Sequence, residues 1–96
     1  MSRRVVYRFR LYVAGDAPNS ARAMANLTAL CKELLAGRHE IDVVDVFQNP
    51  ERALADEIYM TPTLVRLAPT PVRKIVGSLN DTLAVLHALG LETRAE

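Results

Sequence analysis

Cysteine is nearly missing from this 96-residue chain: Cys31 stands alone, so neither an internal disulfide nor an all-cysteine metal site can form. Glycine is also sparse, with four residues, and none sits in a phosphate-cradling loop. The two imidazoles, His39 and His87, have no second imidazole or thiol at i+3 or i+4, and H-E-x-x-H is absent, which argues against a metal centre. His39, beside Gly37-Arg38, reads as a solvated turn residue. Ser20 lacks a G-x-S-x-G context, so a hydrolase-type nucleophile is missing as well. These absences leave no cofactor to expect and no enzyme.

Nor is there an excess of one charge sign. Twelve Lys+Arg against eleven Asp+Glu give +1, where a dedicated nucleic-acid binder carries a strong basic excess. Arg3, Arg4, Arg8 and Arg10 have no stacking platform beside them beyond Tyr7, Phe9 and Tyr12, which a strand partly buries. The longest uncharged run of the C-terminal part, Thr82–Leu91, is far short of the about 20 apolar residues a membrane span needs. Arg8 and Arg10 interrupt what could follow Arg3 and Arg4 in a secretory signal, so the expectation is a cytoplasmic protein.

What is present is a chain half hydrophobic and 24% charged, the composition of one globular domain over residues 1–96. Val5, Tyr7, Phe9, Leu11 and Val13 alternate with Val6, Arg8, Arg10 and Tyr12, a strand with one apolar face. Gly15-Asp16-Ala17-Pro18 turns the chain, and Asn19 or Ser20 is placed to cap a helix. Met24, Leu27, Cys31, Leu34 and Leu35 make its buried stripe, and Gly37 closes it. Ile41–Phe47 is nearly continuous in apolar character, as a strand covered on both faces would be.

Asn49-Pro50 opens a second helix with Leu54 and Ile58 toward the core, stopped before Pro62. Thr63–Leu67 and Val72–Val76 form a hairpin through Ala68-Pro69-Thr70-Pro71, with Gly77 ending the second strand. Asp81–Leu89 is a last helix carrying Leu83, Leu86 and Leu89. The order βαβ-αββα is the thioredoxin-like arrangement, an α/β fold with a four-stranded mixed sheet. Thr61-Pro62-Thr63 occupies the place where that fold often has a cis proline before its third strand.

Thioredoxin-like redox chemistry needs a low-pKa thiolate at a helix start, usually with a second cysteine three residues on. The turn Gly15–Ser20 has none, and Cys31 falls three turns into the helix on its apolar stripe. A thiol-redox or peroxide-sensing domain is the weaker alternative. Arg22, Arg66, Arg73 and Lys74 lie near strand ends or helix starts, outside the apolar stripes, as either a solvated rim or a protein-docking surface.

Leu11-Tyr12-Val13-Ala14-Gly15, Pro18-Asn19-Ser20 and Arg22-Ala23, followed in register by Val44-Asp45-Val46, Asn49-Pro50, Thr61-Pro62-Thr63-Leu64 and Pro71–Gly77, resemble the KaiB family of circadian clock proteins. The similarity spans about residues 5–90. It implies a non-enzymatic regulator that binds the N-terminal ATPase ring of a KaiC-type hexamer and favours its dephosphorylated phase. It also implies KaiA and a histidine kinase with a KaiB-like sensor domain as further partners; an adaptor of a KaiC-like ATPase in stress or diurnal (hourglass) signalling is the alternative.

The resemblance also implies two folds. One is a thioredoxin-like monomer that binds the ring. The other is a resting form, a dimer or tetramer, in which the half after about Asn49 (49–91) is rearranged while the βαβ half (5–48) is kept and a tail (92–96) follows. Gly15, Pro62, Pro69, Pro71 and Gly77 become structural or switch positions, with slow X–Pro isomerisation expected to gate the change. The family's docking positions fall on Arg22, Arg66, Arg73 and Lys74. Thr70 and Ser78 depart from the family's usual proline and acidic residue.

Overall fold

A computed structural model describes residues 5–91; Arg3, Arg4 and the tail 92–96 lie outside the described residues. Seven elements follow one another: β1 (Tyr7–Val13), α1 (Pro18–Leu34), β2 (His39–Asp45), α2 (Pro50–Ala55), β3 (Thr63–Ala68), β4 (Arg73–Val76) and α3 (Thr82–Leu89). The sheet order is β2-β1-β3-β4; β2 runs parallel to β1, while β3 and β4 are antiparallel to their neighbours. This is the mixed four-stranded α/β architecture the sequence predicts.

Two cores sandwich the sheet. On one face Phe9, Leu11 and Val13 of β1 meet Ala23, Leu27, Cys31 and Leu35 from α1 and its end, and Val85 and Leu89 of α3. On the other, Tyr12, Val44 and Val65 are covered by Ala53 of α2 and by Ile58. Tyr12 therefore corrects the expectation of one apolar face on β1: as a central strand it is covered on both sides at its C-terminal end. Val5 and Val6 precede the strand and are exposed.

Other boundaries move for identifiable reasons. Helix α1 begins at Pro18, whose fixed φ suits a first helical position, with Ala17 as N-cap and no side-chain cap. Ser20 instead accepts a bond from the Ala14 N–H, fastening the turn from inside. The buried stripe is Ser20, Ala23, Leu27, Cys31, then Leu35 just past the helix; Met24 is exposed and Leu34 only half-buried. Small residues at 20 and 23 let the helix start lie close to the sheet. Gly37 (φ 73°) serves the turn beyond the helix rather than closing it, since Leu35 is the C-cap.

Strand β2 is an edge strand, so Val43 stays exposed and only Val44 is fully covered; Phe47 falls in the following turn. His39 is not a free turn residue: it opens β2 with Nδ1 2.8 Å from the Leu35 carbonyl. Helix α2 is a short six-residue turn that buries Ala53, leaves Leu54 71% exposed, and puts Ile58 into the core from the segment after it. In α3, capped by the Asp81 carboxylate on the Ala84 N–H, the buried residues are Val85, Leu86 and Leu89, while Leu83 faces outward. The Thr61-Pro62 bond is cis, as are Ala68-Pro69 and Thr70-Pro71.

Candidate functional site

The position where thioredoxin-like proteins carry a reactive thiol is occupied by backbone and small side chains. Gly15, held at φ 52°, points its missing Cβ toward the Phe47 ring 3.7 Å away, and its N–H donates to Asp45 Oδ1 at 3.4 Å. Cys31 is completely buried among the α1 core residues, and burial pushes its thiol up to about 11. A thiol held protonated in an apolar core is no nucleophile at neutral pH. Among the described residues no three metal-ligating side chains come together, and no helix is long and apolar enough to cross a membrane.

The four cations singled out in the sequence do not form one patch. Arg22 is exposed in the first turns of α1, its Nη1 bonded to Asn19 Oδ1 at 2.9 Å. Arg73 and Lys74 are exposed on β4, at the opposite edge of the sheet from β2. By strand alternation Arg73 shares the α1/α3 face with Ile75, whereas Lys74 shares the α2 face with Val76. Lys74 reaches across that face and donates from Nζ to the Asp56 carbonyl.

Arg66 corrects the expectation of a residue outside the apolar stripes. Only 6% exposed, it donates from Nη1 to the Leu89 carbonyl at 2.5 Å and from Nη2 to the Pro71 carbonyl at 2.7 Å. The first acceptor is at the C-terminal end of α3, where the helix dipole favours a cation. The guanidinium thus ties α3 to the β3–β4 hairpin. The Gly90 left-handed cap (φ 72°) brings the chain past it, an added Cβ there lying 3.5 Å from Nη1.

The positions expected to take part in a fold change are joined to this framework. Gly77 (φ 119°) donates its N–H to the Pro62 carbonyl at 2.9 Å, extending the β3–β4 pairing by one step. Pro71 is held by Arg66, and Pro69 lies in the same connection.

A second group, missed in the sequence, anchors α2. Arg10 bridges Asp42 and Asp56, each at 3.1 Å, and Arg52 adds a 2.8 Å pair to Asp42. The Tyr12 hydroxyl donates to the Asp56 carboxylate, with the Arg52 carbonyl 3.3 Å away. The Tyr12 bond, with Arg10 beside it, holds the Asp56 carboxyl below the usual carboxylate range; the Arg52 and Arg10 bonds do the same to Asp42. Burial and the adjacent Asp56 raise the Tyr12 phenol. Only the alternation of Arg10 with Tyr12 hinted at this cluster, because its carboxylates come from loops and edges 30 or more residues away in the chain.

The fold defines a thioredoxin-like domain, and its one cysteine lies in the core rather than at the start of α1. Similar folds include the N-terminal domain of Synechococcus elongatus SasA (TM-score 0.74, 19% identity, all of this chain and 94% of that one). Mitochondrial thioredoxin 3 of Saccharomyces cerevisiae is similar too (TM-score 0.72, 20% identity, 91% and 80%). The KaiB domain family model matches residues 10–91. Two relatives, each a "Circadian clock oscillator protein KaiB", are that of Prochlorococcus marinus strain MIT 9313, 45% identical over 95% of this chain and 76% of its own, and that of Synechococcus elongatus, 44% identical over 95% and 89%. The chain belongs to the KaiB family.

Proposed function

We propose that this protein is a non-enzymatic clock regulator that docks on the N-terminal ATPase ring of a KaiC-type hexamer and promotes its dephosphorylated phase. The observation that carries the reading is the pairing of KaiB-family membership with a thioredoxin-like fold whose one described thiol is buried, so that what remains to act is surface. The resemblance assigns ring binding to the thioredoxin-like form, which is the form described here. The domain works as one unit over residues 1–96.

Docking falls to the exposed cations Arg22, Arg73 and Lys74, with Arg66 holding the hairpin that presents the last two. Arg side chains supply bidentate pairing to carboxylates together with stem packing, a combination suited to a protein interface. The ring-bound form then recruits KaiA and displaces the KaiB-like sensor domain of a histidine kinase. The test is size-exclusion chromatography with a KaiC-type hexamer, followed by the phosphorylation state of that hexamer over time. Co-elution with faster loss of phosphate supports the reading; separate peaks and an unchanged phosphorylation course refute it.

A further inference from the structure

The outer edge of β4 is open, and its hydrogen-bonding direction can be read from one bond. Gly77 donates to the Pro62 carbonyl, which makes 62↔77 a hydrogen-bonded pair. In antiparallel pairing such pairs alternate with non-bonded ones. The register Thr63↔Val76, Leu64↔Ile75, Val65↔Lys74, Arg66↔Arg73 then turns the main-chain groups of Ile75 and Arg73 toward β3. The N–H and C=O groups of Lys74 and Val76 point away from the sheet, and no further strand pairs with them among the described residues.

A groove of about 430 Å³ runs along this edge, between Lys74–Val76 on one side and Ala84 and Ala88 of α3 on the other. Helix α3 lies antiparallel to β4: Asp81 starts it near the Gly77 end, and its Leu89 carbonyl meets Arg66, the cross-strand partner of Arg73, at the other. Small side chains at 84 and 88 leave space for a backbone to lie between strand and helix. The groove is electrically polar along its length. Arg73, next to the lining residue Lys74, lies toward one end beside a buried guanidinium that has no carboxylate partner among the described residues, and Asp81 lines the other.

From this geometry we infer that the β4 edge takes an extended segment of a partner protein as a fifth strand, held by the outward main-chain groups of Lys74 and Val76, with an acidic residue of that segment against Arg73. Strand addition into a groove between an edge strand and a helix is an established way to bind peptides, with main-chain bonds giving affinity and side-chain pockets giving selectivity. A second copy of this chain is the wrong occupant: two adjacent cations on a four-residue edge repel their own image, as charged edge strands do. An acidic strand finds complementary charge there. The inference rests on the docking role proposed for Arg73 and Lys74, and adds to it the main-chain contact that charge alone does not require.

The experiment uses the full chain and a KaiC-type hexamer as the probe. Proline at an outward position of an edge strand removes the donor without touching the β3–β4 bonds. Val76→Pro is expected to weaken binding about tenfold or more, while Val76→Thr, which keeps the N–H, stays within about threefold of wild type. Wild-type affinity in a folded Val76→Pro variant would overturn the added strand and leave the cationic docking intact, provided that Arg73→Glu still abolishes binding. Amide hydrogen exchange on the wild-type complex decides the matter without any variant. The Lys74 and Val76 amides are expected to slow by about tenfold or more on binding, and exchange as fast as in the free chain would contradict the inference. Failure of the hexamer to bind the wild-type chain at all would defeat both readings.

Discussion

Arg66 and Arg73 are direct partners across the β3–β4 hairpin, yet the first guanidinium is buried against two main-chain carbonyls and the second is in solvent. Two like charges opposite each other are unfavourable unless something offsets them. Inside, the negative end of α3 does so for Arg66. Outside, an acidic partner would do so for Arg73. One residue type in one strand pair is therefore buried as a support at one position and left open for the proposed contact at the other.

Separating support from contact gives the first prediction. Arg66→Ala leaves the Leu89 and Pro71 carbonyls without their donor and removes a packed stem, at an expected cost of about 3 kcal/mol. Arg73→Ala, at an exposed position, changes stability by less than about 0.5 kcal/mol. Urea unfolding of the two variants checks the contrast. Equal midpoints would remove the tie between α3 and the hairpin.

The cluster under α2 makes stability depend on acid. Asp42 and Asp56 both have folded-state values below their ordinary ones, so the unfolded chain takes up protons first as pH falls. Their contribution is complete above about pH 4 and is lost as pH drops through the lowered values. Asp56→Asn is expected to be less stable at pH 7 and to show a shallower loss between about pH 4 and pH 2.5. Denaturant midpoints across that range, identical in slope for variant and wild type, would count against the cluster.

Cys31 sets the alkaline side. Its folded-state value, about 11, lies above the ordinary 9.0, so its contribution is whole below that ordinary value and falls as pH rises toward the folded one. The native protein is expected to leave a thiol reagent unreacted at neutral pH until unfolded. Cys31→Ala should flatten the stability loss between about pH 9 and pH 10, before Tyr12 begins to contribute. Rapid labelling of native protein at pH 7 would reopen a redox role.

Gly77 offers a backbone test. At φ 119° a Cβ is strained although nothing lies within 4 Å to obstruct it. Gly77→Ala is therefore expected to cost about 1–3 kcal/mol through conformation alone. Thermal unfolding that matched wild type would mean the strand end can relax.

Element order and sheet type were legible because the relevant signals are local. Alternation marks β1, Asn49-Pro50 marks the start of α2, and the proline-rich connection marks the hairpin. The helix faces were less legible. Counting large apolar residues put Met24, Leu54 and Leu83 inside, whereas the sheet accepts Ala23, Ala53 and Val85. Close approach favours small side chains, which carry no periodic hydrophobic signal. At the site, Arg22, Arg73 and Lys74 are legible as surface residues, since all three fall outside the apolar stripes and are exposed. The burial of Arg66 is not legible, because its acceptors are carbonyls at Pro71 and Leu89 that only the folded hairpin and α3 bring together.

In the proposed function, exposed charge on β4 carries partner recognition and the interior supports it. The most direct measurement is the affinity of Arg73→Glu/Lys74→Glu for a KaiC-type hexamer at moderate salt, beside a melting curve of the free variant. Loss of detectable binding with a melting temperature close to wild type is the predicted result. A folded double variant that binds as tightly as the wild-type chain would contradict it.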